Sequence, residues 1–261
     1  MNKLFEKPVE IEGVVYLASD FHLGIPDKAE SRIREDHIVR WLEQTVLPDA
    51  SHLFLLGDIF DFWFEYKHVV PRGYYRFFNA LSQLKNKNVQ LFYFTGNHDM
   101  WIKNYFIEEF NMRVFKQQQP FLINHTRYLI GHGDGLDPRD KGYLLLKKIF
   151  AFTPNIWLYG LLPSRVAFAV AQCMSRESRR HSSNPAMKKC RENESQINYA
   201  REVLKNEDIQ YFIYGHCHCP AREKIASSAT YINTGDWLSH RSYVRIEGNE
   251  VVLYDKDVAV L

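Results

Sequence analysis

Short apolar runs punctuate the first hundred residues, and each stops at a glycine or a polar cluster. Val14 to Ser19, His52 to Leu56 and Val89 to Phe94 are rich in β-branched, aromatic and leucine residues and read as strands. Between them, Ser31 to Val46 carries Ile33, Ile38, Val39, Leu42 and Val46 at helical spacing. Gly73 to Leu84 does the same with Tyr74, Phe77, Phe78 and Leu81. The order β-α-β-α-β predicts a layered α/β sheet.

The pattern then changes. Arg113 to Phe115, Pro120 to Asn124 and Arg127 to Ile130 read as short strands joined by turns. A long, mostly helical segment follows, from Lys141 to about Leu204. Tyr211 to Tyr214 is the next strand, and Ala229 to Asn233, Ser242 to Ile246 and Val251 to Asp255 close the chain around a turn at Gly248-Asn249. The expected organisation is a core of residues 1–140 and 202–261, with residues 141–201 inserted as a helical lid over the strand ends.

Composition narrows the class. The 261 residues are 46% hydrophobic and 25% charged, which is the profile of a soluble globular protein. A net charge of +2 gives no global case for nucleic acid as partner. Met1 to Glu12 lacks the apolar core of a secretory signal. Ile149 to Met174 holds a single charge, Arg165, but Pro154, Asn155, Pro163 and Ser164 interrupt it. It reads as two shorter helices that touch a membrane rather than one that spans it. Cys173, Cys190, Cys217 and Cys219 read as reduced thiols of a cytoplasmic protein.

The chemistry sits where the apolar runs end. Asp20-Phe21-His22, Gly57-Asp58, Gly96-Asn97-His98-Asp99, Gly131-His132-Gly133-Asp134 and Gly215-His216-Cys217-His218 follow one another in that order. Ligands of open α/β sheets bind at the carboxyl ends of strands. Asp20, His22, Asp58, Asn97, His132, His216 and His218 offer carboxylate, amide and imidazole donors, a set that suits Mn, Fe or Zn better than Ca or Mg. If Asp58 bridges, each of two ions has four protein ligands and open positions. Taken singly, an Asp-x-His or a Gly-Asn-His-Asp is as readily a plain turn. The strength lies in all five together. Alternation along a strand would aim His216 and His218 one way and Cys217 and Cys219 the other. Asp61 and Asp134 are candidate acceptors for the ligand histidines, and the aromatic stretch Phe60 to Tyr66 is either a substrate platform or packing.

This motif set resembles the calcineurin-like metallophosphoesterases over most of the chain outside the insertion. The resemblance implies a four-layer β-sandwich flanked by helices and a dinuclear centre. It implies that Asp20, His22 and His218 hold one ion, that Asn97, His132 and His216 hold the other, and that Asp58 bridges. It also implies in-line attack on phosphorus, with His98 near the phosphate oxygens and Asp99 orienting it, so that His98, Asp99 and Asp58 are the candidate catalytic residues.

The insertion is greasy and then basic. Leu144, Leu145, Ile149, Phe150, Phe152, Trp157, Leu158, Leu161, Leu162, Val166, Phe168 and Val170 precede Arg176, Arg179, Arg180, Lys188, Lys189 and Arg191. That order suits an anionic lipid at a membrane surface, or alternatively a helical hairpin packed on the sheet with a solvated basic face. Within the insertion, Leu161-Leu162-Pro163, Arg165, Ala169, Met174 and Ser178, followed by Arg179, Arg180, Lys188 and Lys189, form a pattern similar to the lid of the UDP-2,3-diacylglucosamine pyrophosphatases of lipid A synthesis, although His98 stands where the best-known of those have Arg. The resemblance implies substrate contacts from Asn97, His98, Asp137, Ser178, Arg179, Lys188 and His216. It implies a peripheral enzyme on the cytoplasmic face of the inner membrane, with two divalent ions, Mn foremost. The expected partner is a lipid-linked nucleotide substrate, with no nucleic acid and no obligate protein partner. The alternatives are a general phosphodiesterase or phosphomonoesterase acting on nucleotides, and a non-catalytic module, which such a complete ligand set disfavours.

Overall fold

A computed structural model describes residues 7–66, 68–167, 169–170, 185–256 and 258–260. Among the described residues, thirteen strands form two sheets. One contains β2 (Val15–Ala18), β3 (His52–Leu55), β4 (Gln90–Phe94), β5 (Arg113–Phe115), β11 (Tyr243–Glu247), β12 (Glu250–Asp255) and β13 (Val258–Val260), in the order β13-β12-β11-β2-β3-β4-β5. The other contains β1 (Val9–Ile11), β6 (Gln119–Ile123), β7 (Thr126–Ile130), β8 (Tyr211–Tyr214), β9 (Ala221–Lys224) and β10 (Thr230–Asn233), in the order β1-β6-β7-β8-β10-β9.

Strand alternation builds the layers. On β2, Tyr16 and Ala18 join a core with Leu53, Leu55, Leu91 and Tyr93. That core lies under α1 (Lys28–Trp41), α2 (Tyr75–Asn86) and α3 (Tyr105–Phe110). Val15 and Leu17 turn the other way and pack with Phe54, Phe92, Phe121 and Ile130 between the sheets. There Phe54 and Phe92 stack with centroids 4.4 Å apart. A fully buried phenylalanine contributes about 1.5–3 kcal/mol. Beyond the second sheet, Leu129, Phe212, Tyr214 and Tyr231 pack on Ile197 and Ala200 of α6 (Pro185–Val203). The result is helices, sheet, sheet and helix, the expected four-layer α/β sandwich.

The structure corrects several local readings. Ile33 is 60% exposed and does not belong to the apolar face of α1. That face is Ser31, Arg34, Glu35, Ile38 and Trp41, followed by Leu42 in a π turn, Leu42–Val46. Its polar members are buried because each is bonded: Ser31 accepts from Gly24 N–H, Arg34 donates to the His22 carbonyl, and Glu35 accepts from Phe77 N–H. A stripe counted on apolar residues alone misses them. The strands β1, β9 and β13 and the helix α3 also escape the pattern. They are short, and β9 reads Ala-Arg-Glu-Lys with almost nothing apolar.

The insertion starts as α4 (Lys141–Ala151) and α5 (Thr153–Gly160), neither of which buries a residue. Helical turns resume at 164–167 and 169–170. Asn193 and Gln196 of α6 are buried against the second sheet, so the C-terminal half of that helix is part of the sandwich. Among the described residues, no helix is long and apolar enough to cross a membrane.

Candidate metal centre

The carboxyl ends of parallel β2, β3 and β4 meet those of parallel β7 and β8, and the five motifs lie just beyond them. The chain turns there through unusual backbone. Asp20, His22, Asp58, His216 and His218 all have positive φ, between 44° and 71°. Left-handed backbone costs a non-glycine residue about 1 kcal/mol or more, and such positions cluster at functional sites. The glycines are needed for close approach. A Cβ on Gly57 would stand 2.7 Å from Gly96 N, and one on Gly96 would overlap the Asp58 carboxylate.

Two donor groups result. Asp20, His22 and His218 offer atoms within 4.8 Å of one another, and so do Asp58, His132 and His216. Asp58 joins them: its Oδ2 lies 3.8 Å from His22 Nε2 and 3.5 Å from His132 Nε2. Asn97 Oδ1 lies 3.3 Å from His132 Nε2. A third group, His22, Asp61 and His98, adjoins the first. The imidazoles are aimed by their other nitrogen. His132 Nδ1 donates to the Leu56 carbonyl at 2.7 Å, His98 Nδ1 donates to the Asp61 carbonyl at 2.9 Å, and His218 Nδ1 lies 3.2 Å from Asp236 Oδ2.

The donors fit divalent cations. Asp20 Oδ1 is buried with no hydrogen-bond partner. His22 Nε2 and His218 Nε2 point at each other from 3.1 Å. An isolated buried carboxylate costs several kcal/mol unless a cation neutralises it. Burial alone would raise the Asp20 and Asp58 pKa values, but the surrounding histidines hold both carboxyls well below the usual range. In return, burial would depress His132 and His218, and the carboxylates outweigh it, raising each to about 10. His216 drops to about 4 through burial and repulsion from His132.

The chain matches the calcineurin-like phosphoesterase family over residues 13–220, most of its length. It belongs to that family. This phosphoesterase is 28% identical over 254 residues to the UDP-2,3-diacylglucosamine hydrolase of Porphyromonas gingivalis, covering 92% of this chain and 96% of that one. It is 27% identical over 205 residues to the enzyme of that name from a Shewanella species, covering 77% and 82%. Among solved structures it is similar to a dimetal phosphatase from Danio rerio, with 12% identity, a TM-score of 0.45 and coverage of 93% and 95%. Family and donor groups together make the phosphoesterase a metal-dependent hydrolase.

The positions of the other expected residues are mixed. His98 has a side chain 20% exposed, and its Nε2 lies 4.0 Å from Asp58 Oδ2 at the open side of the cluster. Asp99 does not orient it. The Asp99 carboxylate is fully buried and accepts from Gly96 N–H, Ile59 N–H and Tyr93 O–H, which uses it to tie two motif loops together. Burial and the nearby Asp58 charge raise Asp99 to about 6. Asp137 is turned away from the donor groups: Arg139 grips its carboxylate at 2.9 Å, and Ser195 donates to it. Ser178 and Arg179 lie outside the described residues, as does the side chain of Lys188. Phe60, Trp63 and Phe64 are fully buried, so most of the aromatic stretch is packing.

His216 and His218 reach the site by a different route from the expected one. They lie beyond the end of β8 in left-handed turns, not on an alternating strand, and serve different donor groups. Cys217 is buried and Cys219 half-buried, and neither is in a disulfide. The sequence reading missed Asp236, which accepts from Ser239 and His240 N–H while facing His218. A weaker signal for it existed: Gly235-Asp236 is a Gly-Asp pair shortly after β10, as Gly57-Asp58 is after β3, but polar Asn233 and Thr234 precede it in place of leucines.

The insertion meets this site through α4. Tyr143 O–H donates to Asp134 Oδ2 at 2.7 Å, and Lys147 pairs with the same carboxylate at 2.6 Å. The Tyr143 ring lies 6.4 Å from that of His216. At the far end, Trp101 Nε1–H donates to the Phe150 carbonyl at 3.0 Å, and Tyr159 of α5 packs on Phe62, Phe64 and Trp101.

Proposed function

We propose that this phosphoesterase hydrolyses the pyrophosphate bond of UDP-2,3-diacylglucosamine to UMP and 2,3-diacylglucosamine 1-phosphate. The observation that carries the reading is an apolar surface held beside a buried two-group donor cluster. Trp157 and Leu161 are 67% and 61% exposed, and Leu145, Phe152 and Leu158 stand out beside them. Large apolar side chains exposed on two consecutive helices suit a binding surface, and acyl chains are the ligand it would take. The named relatives support the same substrate.

Asp20, His22 and His218 would hold one divalent ion and Asn97, His132 and His216 the other, with Asp58 shared. Manganese is the proposed ion, and the mixed oxygen and nitrogen set would also suit Fe or Zn. Such a pair supplies Lewis acidity and a water of lowered pKa. The protein does the rest. The water oxygen bonds to one phosphorus, and the bond from that phosphorus to the bridging oxygen breaks. The other phosphate departs with the bridging oxygen, and the water's protons pass to the products or to solvent. His98, held by the Asp61 carbonyl, presents Nε2 toward the phosphate oxygens, where charge builds. Asn97 and His216 would meet the phosphates, and Ser178, Arg179 and Lys188 are the proposed contacts around the sugar and phosphates; Asp137, held by Arg139 and Ser195, is left out of that set. Lys141, Lys148 and Arg165 stand exposed among the apolar lid residues, which suits an anionic membrane face as the place of work.

Purified enzyme supplied with Mn should release UMP from UDP-2,3-diacylglucosamine dispersed in detergent, measured by chromatography. Absence of UMP alongside rapid hydrolysis of bis(p-nitrophenyl) phosphate would replace this reading with a general phosphodiesterase.

A further inference from the structure

A second polar cleft, of about 180 Å³, lies between α1, the following π turn and the loop after β10. Its walls are His37, Arg40, Trp41, Gln44, Thr45, Trp237 and Arg241, with no carboxylate among them. Arg40 Nη2 and Arg241 Nη1 both reach the same acceptor, His37 Nδ1, at 3.0 and 3.4 Å. A nitrogen that accepts from two cations carries no proton, and burial and the two guanidiniums lower the His37 pKa accordingly. Neither arginine has a carboxylate partner among the described residues. Asp36, one turn before Arg40, is bonded to Arg76, and Asp255 is paired with His240. Trp41 carries a buried indole N–H with no partner. Two like charges sharing one neutral acceptor repel each other, and a planar guanidinium pair matches phosphate oxygens in bidentate geometry.

We infer that the cleft of Arg40, Arg241 and His37 is a second anion site, separate from the metal centre, that takes a phosphate group. An anion there would bridge α1 to the loop of residues 236–242. That loop carries Asp236, which faces His218. Arg241 N–H donates to the Asp236 carbonyl at 2.8 Å, and Trp237 N–H donates to the Asp20 carbonyl at 3.1 Å. The phosphate could belong to a soluble monoester or to a lipid headgroup, and the chemistry of recognition is the same.

The test is a calorimetric titration of the metal-loaded enzyme with inorganic phosphate. It is run beside cosedimentation with phosphatidylglycerol and phosphatidylcholine vesicles, for wild type, Arg40→Gln and Arg241→Gln. Wild type should show a phosphate site beyond that of the metal centre, and each variant should weaken it at least about tenfold. Melting temperature and hydrolysis of bis(p-nitrophenyl) phosphate should be unchanged, which shows the variants are folded. If the variants lose phosphatidylglycerol vesicles and keep free phosphate, the ligand is a headgroup; if they lose free phosphate and keep vesicles, it is a soluble monoester. Phosphate and vesicle binding that match wild type in both variants would overturn the proposal.

Discussion

The donor cluster and the insertion lie side by side and are built in opposite ways. In the cluster, Asp20, His22, Asp58 and His132 are all buried, and most aimed side chains have a second bond that fixes their direction. In α4 and α5 nothing is buried, and among the described residues the two helices are held by contacts to Asp134, Phe62, Phe64 and Trp101. Such a division separates two tasks. Chemistry needs atoms held to a fraction of an ångström. Selecting a greasy substrate needs only area, which an exposed and lightly tethered surface can offer and later cover.

If that division is right, changes in the cluster act on every substrate and changes in the insertion act on one. The largest effect should come from Asp58→Asn. We expect turnover of both UDP-2,3-diacylglucosamine and bis(p-nitrophenyl) phosphate to fall at least about a thousandfold, a loss of several kcal/mol. Metal analysis should find fewer than two ions per chain. Near-normal turnover would show that Asp58 does not join the two groups. Next comes Asp236→Asn, which keeps the shape but removes the charge facing His218. Metal affinity measured by competition with a chelator should drop about 10–100-fold, and an unchanged affinity would make Asp236 a loop residue only. The smallest effect belongs to Trp157→Ser combined with Leu161→Ser. KM for the diacyl substrate should rise about tenfold, while kcat for bis(p-nitrophenyl) phosphate stays constant. Equal losses on both substrates would erase the contrast between the two regions.

The same contrast explains what could be read from the chain. Strand ends are local events: an apolar run, a glycine, then Asp58 or His132, all within a few residues, so the candidate ligands stood out. Asp236 acts through a partner, His218, that only folding brings near, although Gly235-Asp236 is a Gly-Asp pair like Gly57-Asp58. Asp61, close to the second motif, was legible as a candidate acceptor. Asp99 misled because it is next to His98 in sequence, while its bonds run to Ile59 and Tyr93. The buried face of α1 was illegible to a count of apolar residues because Arg34 and Glu35 occupy it. The insertion announced its composition, but nothing local said that the end of α6 would belong to the sandwich while α4 would not.

The left-handed turns at Asp20, His22, Asp58, His216 and His218 restrict the vocabulary of the site. Besides glycine, the residues that tolerate such backbone best are Asp, Asn and His, and these three are also oxygen and nitrogen donors of short reach. Glutamate, cysteine and the β-branched residues fit the turns poorly. Descendants of this sequence could drift widely elsewhere, yet at these positions a change away from those three residue types carries an added backbone cost of about 1 kcal/mol or more. A thiolate-rich, softer centre would have to bear that cost at each of these turns.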